Sequence, residues 1–389
     1  MDHGFDLGGF LLALASALIA AKLFGEIAER LGQPSVLGEL IAGIVVGPSV
    51  LGLVPLSLGI LVLAEIGVLL LLFEVGLETD LAELLAVGGP ALAVALAGMV
   101  LPFGAGWALT RALGYGPLAA LFVGASLTAT SIGITARILA ELNTLKTREG
   151  QIILGAAVVD DVLGLIVLAI VTRIAESGAL EPSVALKSGV FAIGFVVVAV
   201  VAGGPVGRRL VHVVGKSNAR GMLGAASVAF AILVAWLAKK AGSAPIVGAF
   251  AAGMALARTN RRHDIDAALK PVVDIFAPIF FISVGAQADV RLLNPFVAEN
   301  RPGLLLGLGL TVVGFLGKFA AGFCAWGKVR RPFIGAGMVP RGEVGLIFAS
   351  MGLQTGALPQ RIFVAVLLAV FATTFVTPPL LKKLAPRQA

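Results

Sequence analysis

The 389-residue chain is 58% hydrophobic and 13% charged, with a formal net charge of +7 and a mean hydropathy of +1.02. Soluble domains carry about a quarter charged residues, so this composition excludes an ordinary water-exposed surface and makes the bilayer the solvent. The positive charge is then a matter of membrane sidedness rather than of a nucleic-acid partner, and the lone Cys324 leaves no disulfide framework or thiolate metal cluster.

Backbone groups in lipid must bond internally, which allows helices or a closed barrel. Barrel strands alternate apolar and polar residues, and runs such as LVLAEIGVLLLLF (61–73) do not. The chain is therefore expected to be an all-α polytopic membrane protein. Cutting at charges, prolines and turn clusters predicts thirteen spans, near 7–29, 35–53, 58–77, 90–113, 117–141, 149–173, 185–211, 220–239, 244–257, 270–287, 303–327, 332–354 and 361–384. The second and ninth are short and glycine-rich. The opening MDHGFDLGGF lacks the basic region of a cleaved signal and reads as the mature start. No long segment follows the last span, so no soluble regulatory or nucleotide-binding domain is expected.

An odd number of spans puts the termini on opposite sides. One set of loops holds Arg30; Lys146 and Arg148; Arg208, Arg209, Lys216 and Arg220; Arg258, Arg261, Arg262 and Lys270; Lys328, Arg330 and Arg331; and Lys382, Lys383 and Arg387. That is roughly seventeen basic residues, against about eight in the other set. Basic loops stay inside, so the C-terminus is expected in the cytoplasm and the N-terminus outside.

The chain repeats itself. VLGELIAGI (36–44) aligns with IVGAFAAGM (246–254), and LFEVGLETD (72–80) with FISVGAQAD (281–289), at offsets of 210 and 209. The paired spans are seven apart, an odd number, so the two halves enter the membrane in opposite directions. Inverted repeats mark secondary transporters, whose site lies near the midplane where discontinuous helices meet. The same offset carries LTATSIG (127–133) onto MVPRGEV (338–344). Both interrupt apolar spans: Thr128, Thr130 and Ser131 in one, Pro340, Arg341, Gly342 and Glu343 in the other. Unwound backbone at membrane depth is tolerated where it is buried in protein or lines a cavity.

Asp160 and Asp161 sit within QIILGAAVVDDVLGLIVLAIV (151–171), with about nine apolar-type residues on either side. A carboxylate at that depth costs at least ~2.5 kcal/mol and survives where it meets water, ions or a counter-charge. Consecutive positions lie about 100° apart on a helix, so one carboxylate can face a cavity and the other a neighbouring helix, and such a pair can hold and release protons. Lys318, in TVVGFLGKFAAGFCAW (311–326), is the other deep charge and needs a partner, for which Asp160 or Asp161 is the candidate. Glu65 and Glu74 lie in an apolar span and are open to a structural reading, Arg341 and Glu343 are close enough in sequence to pair locally, and His3, His212 and His263 have no metal-ligand spacing.

TATSIGITARILAEL (128–142), followed about twenty residues on by GAAVVDDVLGLI (155–166), resembles the bacterial sodium/proton antiporters of the monovalent cation:proton antiporter-2 family; the lysine span, PRGEVGLI (340–347) and the inverted layout agree with it. The resemblance covers essentially the whole chain. It implies a homodimer in the bacterial cytoplasmic (inner) membrane, with lipid as its surroundings and no cofactor. It implies a dimerisation domain from 1–80 and 220–289, a linker helix at 185–211, and an ion-transporting core from 90–173 and 302–384, where two discontinuous helices cross. It makes Asp161 the ion- and proton-carrying aspartate, Asp160 its neighbour and Lys318 the paired lysine. Thr130 and Ser131 supply further ligands for Na+ held at Asp161 and Asp160, and Thr128, Arg341 and Glu343 support them. The resemblance favours electrogenic exchange of cytoplasmic Na+ or Li+ for external H+, since members with two aspartates are typically electrogenic.

Three rivals stand beside that reading. Potassium/proton exchange on the same fold is open, although the related Kef-type potassium exporters carry Gln-Asp and a nucleotide-binding domain. A cation channel also uses buried carboxylates but does not need inverted halves with paired breaks. An intramembrane aspartyl protease, the enzyme alternative, needs two aspartates converging from different helices, whereas these are consecutive on one.

Overall fold

The computed structural model describes residues 6–78, 88–131, 135–136, 138–139, 142–177, 190, 194, 204–209, 211–214, 221–241 and 244–385. Among them there is no strand. The helices are α1 (Leu7–Arg30), α2 (Ser35–Val46), α3 (Leu58–Glu78), α4 (Gly88–Ala112), α5 (Pro117–Ser126), α6 (Arg148–Ser177), α7 (Met222–Lys240), α8 (Pro245–Ala257), α9 (Arg262–Ala286), α10 (Arg301–Ala321), α11 (Arg331–Gly337), α12 (Glu343–Gln354) and α13 (Gln360–Leu384). Eight helical stretches among the described residues are long and apolar enough to cross a bilayer.

The spans expected at 117–141 and 332–354 are not continuous helices: each breaks at the polar stretch within it. The second span stops at Val46 instead of 53, because Gly47 is extended and precedes a proline, a position that disfavours helix. The tenth begins at Arg262 instead of 270; its first turns carry Asp264, Asp266 and Lys270, so they are helical without being apolar. The seventh span, proposed as a linker helix at 185–211, lies largely outside the described residues.

The chain divides into two compact units. One comprises Met1–Asp80 and Val190–Val290, the other Leu81–Gly189 and Arg291–Ala389. In the first, α3 packs along α8 and α9, and α2 along α1 and α9. Association in lipid rests on close van der Waals packing, which small residues permit, and the aligned repeats supply it twice. A Cβ on Gly43 of α2 would stand 2.3 Å from the Ile282 carbonyl oxygen of α9, and one on Gly285 2.2 Å from that of Leu40. In the other half, Gly253 of α8 meets the Phe73 carbonyl at 2.2 Å and Gly76 of α3 that of Phe250 at 2.1 Å. Ile282 is the repeat counterpart of Phe73, and Leu40 of Phe250, so equivalent residues make equivalent contacts. The face of α1 turned inward is also small-residued, with Ala13, Ala17, Ala20, Ala21, Gly25 and Ala28 buried, while Leu12, Ile19, Leu23 and Ile27 point outward.

In the second unit α4 packs against α5, α6 and α10, α13 lies along α10, and α5 meets α12. Both broken spans therefore sit in this unit with α6 beside them.

Gly253→Leu should lower the melting temperature of the detergent-solubilised protein by several degrees, since overpacking a filled contact costs about 1–3 kcal/mol. Gly104→Leu, at a position with nothing within 4 Å, should leave it unchanged.

Candidate ion site

Two chain breaks meet in the second unit. Helix α5 ends at Ser126, and Leu127 to Ser131 leave the helical path; α11 ends at Gly337, and 338–342 are non-helical until α12 begins. The breaks are joined directly: the Ser131 N–H donates to the Pro340 carbonyl at 3.0 Å. Close approach requires glycine at position 342, where a Cβ would lie 2.8 Å from the Ser131 Cβ. The Thr135 hydroxyl donates to the Gly337 carbonyl at 2.9 Å, satisfying one orphan group at the end of α11.

Arg341 occupies the crossing. Its side chain, 2% exposed, donates from Nη1 to the carbonyls of Leu127 and Ala129, and from Nη2 to that of Gly314 on α10 at 2.9 Å. The guanidinium thus caps the carboxyl end of α5 from another segment, and its positive charge faces the negative end of that helix. Its own carbonyl accepts from the Thr374 hydroxyl of α13 at 3.1 Å. The local pairing with Glu343 considered from the sequence rests on a side chain outside what is described.

Asp160 and Asp161 lie near the middle of α6, both buried. Lys318, on α10, donates from Nζ to Asp160 Oδ2 at 2.5 Å, and neither side chain has any exposed surface. Of the two aspartates the lysine takes Asp160. The Thr130 hydroxyl donates to the same oxygen at 2.8 Å and stands 3.3 Å from the Met338 carbonyl. It therefore links the first break to the ion pair and to the second break. Asp160 Oδ1 is buried and has no hydrogen-bond partner among the described residues. Room for the lysine comes from Gly98 on α4, where a Cβ would be 3.4 Å from Nζ.

Ser131 lies against Gly342, and the Thr128 hydroxyl donates back to the Ala125 carbonyl at 2.7 Å. The crossing therefore joins Asp160, Lys318 and Thr130 directly, with Asp161 next to Asp160 on α6 and Ser131 next to Thr130 at the first break. Thr135, Thr374, Gly98 and Gly314 were not singled out from the sequence. A polar residue at helical spacing in an apolar span was the available signal for Thr135 and Thr374; a glycine a helical turn before Lys318 was the one for Gly314.

Broken helices crossing beside a buried ion pair define a membrane transporter of the inverted-repeat kind. The chain belongs to the sodium/hydrogen exchanger family: a model of that family, described as "Sodium/hydrogen exchanger, transmembrane", matches residues 14–384. It is 42% identical to the high-affinity Na+/H+ antiporter NhaS3 of Synechocystis sp., over 97% of this chain and 90% of the relative. It is 37% identical to the Na+/H+-K+ antiporter GerN of Bacillus cereus, over 96% of this chain and 95% of the relative. The solved structure of the sodium proton antiporter MjNhaP1 from Methanocaldococcus jannaschii shares the fold, with a TM-score of 0.74 at 18% identity and 96% of each chain covered. The protein is thus a multi-pass membrane transporter, not an enzyme.

Arg341→Ala should destabilise the protein by on the order of 3 kcal/mol, because three carbonyls lose their donor and Asp160 loses a nearby buried cation. Arg341→Lys should recover only part of this, since one ammonium cannot span carbonyls on two segments. Thermal melting of the three proteins in detergent measures both.

Proposed function

We propose that this protein exchanges cytoplasmic Na+ or Li+ for external H+ at Asp160 and Asp161, by alternating access and with net charge movement. The observation that carries the reading is Asp160: one oxygen holds Lys318 and Thr130, while the other is buried and unpartnered among the described residues. A buried carboxylate oxygen left without a donor is a poor end state, and a hard cation completes it. A cation held there also draws on the neighbouring Asp161 carboxylate, which carries the exchanged proton, so binding one expels the other. Names of the relatives as Na+/H+ antiporters support sodium as the cation.

In the proton-loaded form Asp161 carries the proton and the Lys318–Asp160 pair is closed. Sodium arriving from the cytoplasm displaces that proton and takes oxygen ligands from Asp161, Asp160, Thr130 and Ser131. Loaded with either ion, the unit containing residues 90–173 and 302–384 acts as the transport core and moves against the unit containing 1–80 and 220–289, which serves dimerisation. If Lys318 also releases its proton, two protons cross per sodium, and the one net charge couples to the membrane potential at about 2.3 kcal/mol per 100 mV. We place the homodimer in the cytoplasmic (inner) membrane of a bacterium, surrounded by lipid, with the N-terminus outside and the C-terminus in the cytoplasm. No cofactor enters the cycle. Potassium is the second reading, supported by relatives named as a Na+/H+-K+ antiporter and as a potassium-efflux system.

In liposomes holding an acid-inside pH gradient, external Na+ and Li+ should dissipate the gradient and choline should not; Asp161→Asn should abolish the response. A response to K+ alone would replace sodium by potassium at the same site, and a response that survives Asp161→Asn would remove these carboxylates from the mechanism. Lys318→Gln should eliminate sodium-driven current; current persisting in that variant would leave Lys318 no part in the charge movement.

A further inference from the structure

The first unit carries a concentration of positive charge that the exchange site does not use. An open cleft of about 720 Å³ is lined by Arg208, Arg209 and His212 from one segment and by Arg258, Asn260 and Arg261 from another. No carboxylate among the described residues lines it. Packing brings the two segments together. Residues 204–209 and 211–214 are helical, and their buried positions Gly204, Gly207 and Val211 have a helix's spacing. At Gly207 a Cβ would stand 2.8 Å from the Leu256 side chain, 3.6 Å from the Ala255 carbonyl and 3.8 Å from the Thr259 side chain, so this segment sits on the end of α8. Arg208 and Arg209 directly follow Gly207, and Arg258 lies between Leu256 and Thr259, so the contact that closes the packing also gathers the guanidiniums.

Basic loops collect on one side of any membrane protein, but that rule does not place them without acceptors. Outside the cleft Arg30 pairs with Glu26, Arg111 donates to the Tyr115 carbonyl, Arg262 to that of Glu78 and Arg330 to that of Ala385. Within the cleft Arg261 pairs with Asp264, whereas Arg208, Arg209 and Arg258 make no hydrogen bond or ion pair among the described residues. Three such charges in one cleft repel one another, and an anion among them removes the repulsion. Guanidiniums select phosphate, because their planar fork matches its oxygens two at a time. The adjoining surface selects the carrier of that phosphate. Val206 and Val213 are 54% and 62% exposed and lie three residues before and four after Arg209, on its own face of the helix. Apolar side chains flanking a basic one suit acyl chains beneath a charged headgroup rather than a free anion in water.

We propose that this cleft binds the phosphate headgroup of an anionic phospholipid, held by Arg208, Arg209 and Arg258, with its acyl chains along Val206 and Val213. Basic pockets between spans take such headgroups. A lipid seated there ties the 204–214 segment to the end of α8, so its presence stabilises the first unit independently of Asp160 and Asp161.

The purified full chain in detergent, stripped of lipid, is titrated with phosphatidylglycerol, phosphatidylcholine or inorganic phosphate. Mass spectrometry of the intact complex counts bound lipid, and thermal melting reads the stabilisation. Phosphatidylglycerol should bind saturably and raise the melting temperature. Phosphatidylcholine, whose phosphate is already offset by its own cation, and inorganic phosphate should do neither. Arg209→Gln/Arg258→Gln should weaken phosphatidylglycerol binding at least tenfold. Lys146→Gln/Lys328→Gln removes the same charge from exposed positions outside the cleft and should change binding less than twofold. Arg208→Gln serves if the double arginine variant does not fold, with melting in the absence of lipid as the folding control. Asp161→Asn should bind phosphatidylglycerol like the unchanged protein, so loss of the exchange reading leaves this result standing. Equal binding by the arginine and lysine variants would make the attraction diffuse and overturn the site, as would an absence of phosphatidylglycerol binding. Stabilisation by inorganic phosphate equal to that by phosphatidylglycerol would overturn the lipid as its occupant.

Discussion

The Lys318–Asp160 ion pair governs the second unit. Both side chains are without exposed surface, and breaking such a pair by removing one member costs several kcal/mol, because the other charge is left unpaired in a dry interior. Lys318 of α10 must therefore reach Asp160 of α6 at this depth, across α4, which packs against both helices. Glycines at 98 and 314 make the approach possible: the first leaves space for the ammonium, the second for the guanidinium of Arg341. Thr130 can reach the same carboxylate only because its helix has already ended. A continuous helix would have kept that backbone bonded to itself.

Breaking two helices in lipid creates unsatisfied carbonyls, which cost several kcal/mol each if unmet. The chain answers with side chains from elsewhere. Arg341 collects the carbonyls of Leu127, Ala129 and Gly314, Thr135 takes that of Gly337, and Thr374 that of Arg341 itself. Two buried carboxylates and two buried cations then share one region, so the site as a whole carries little net charge. An ion exchanger benefits from that balance, since adding either a proton or a sodium ion changes the charge by the same amount.

The first unit is governed by a different constraint, close backbone approach. Gly43 with Gly285 and Gly253 with Gly76 reproduce one contact in both halves of the repeat, which makes the duplication visible in atoms as well as in letters. Against that symmetry the carboxylates of α2 and α3 stand out, because their counterparts are small or uncharged. What the two halves share is packing; what they do not share is chemistry.

Much of this was legible in the sequence. Apolar runs announce helices because lipid allows little else, and buried Asp160, Asp161 and Lys318 announce a site because charge at that depth needs compensation. The repeat offset pointed to both breaks, since polar residues and proline cannot continue an apolar helix unnoticed. Other features were not legible. Residue pattern alone left open which aspartate the lysine takes, and it gave no sign that the Arg341 guanidinium binds carbonyls 214 and 27 residues away. The polar first turns of α9 were missed because hydropathy detects the part of a helix inside lipid and is blind to the part beyond it. By itself the sequence determined the solvent, the helices and the residues that could not be left uncompensated. Only the tertiary structure decided the pairings, because compensation acts through space, and the partners that supply it come from segments far apart along the chain.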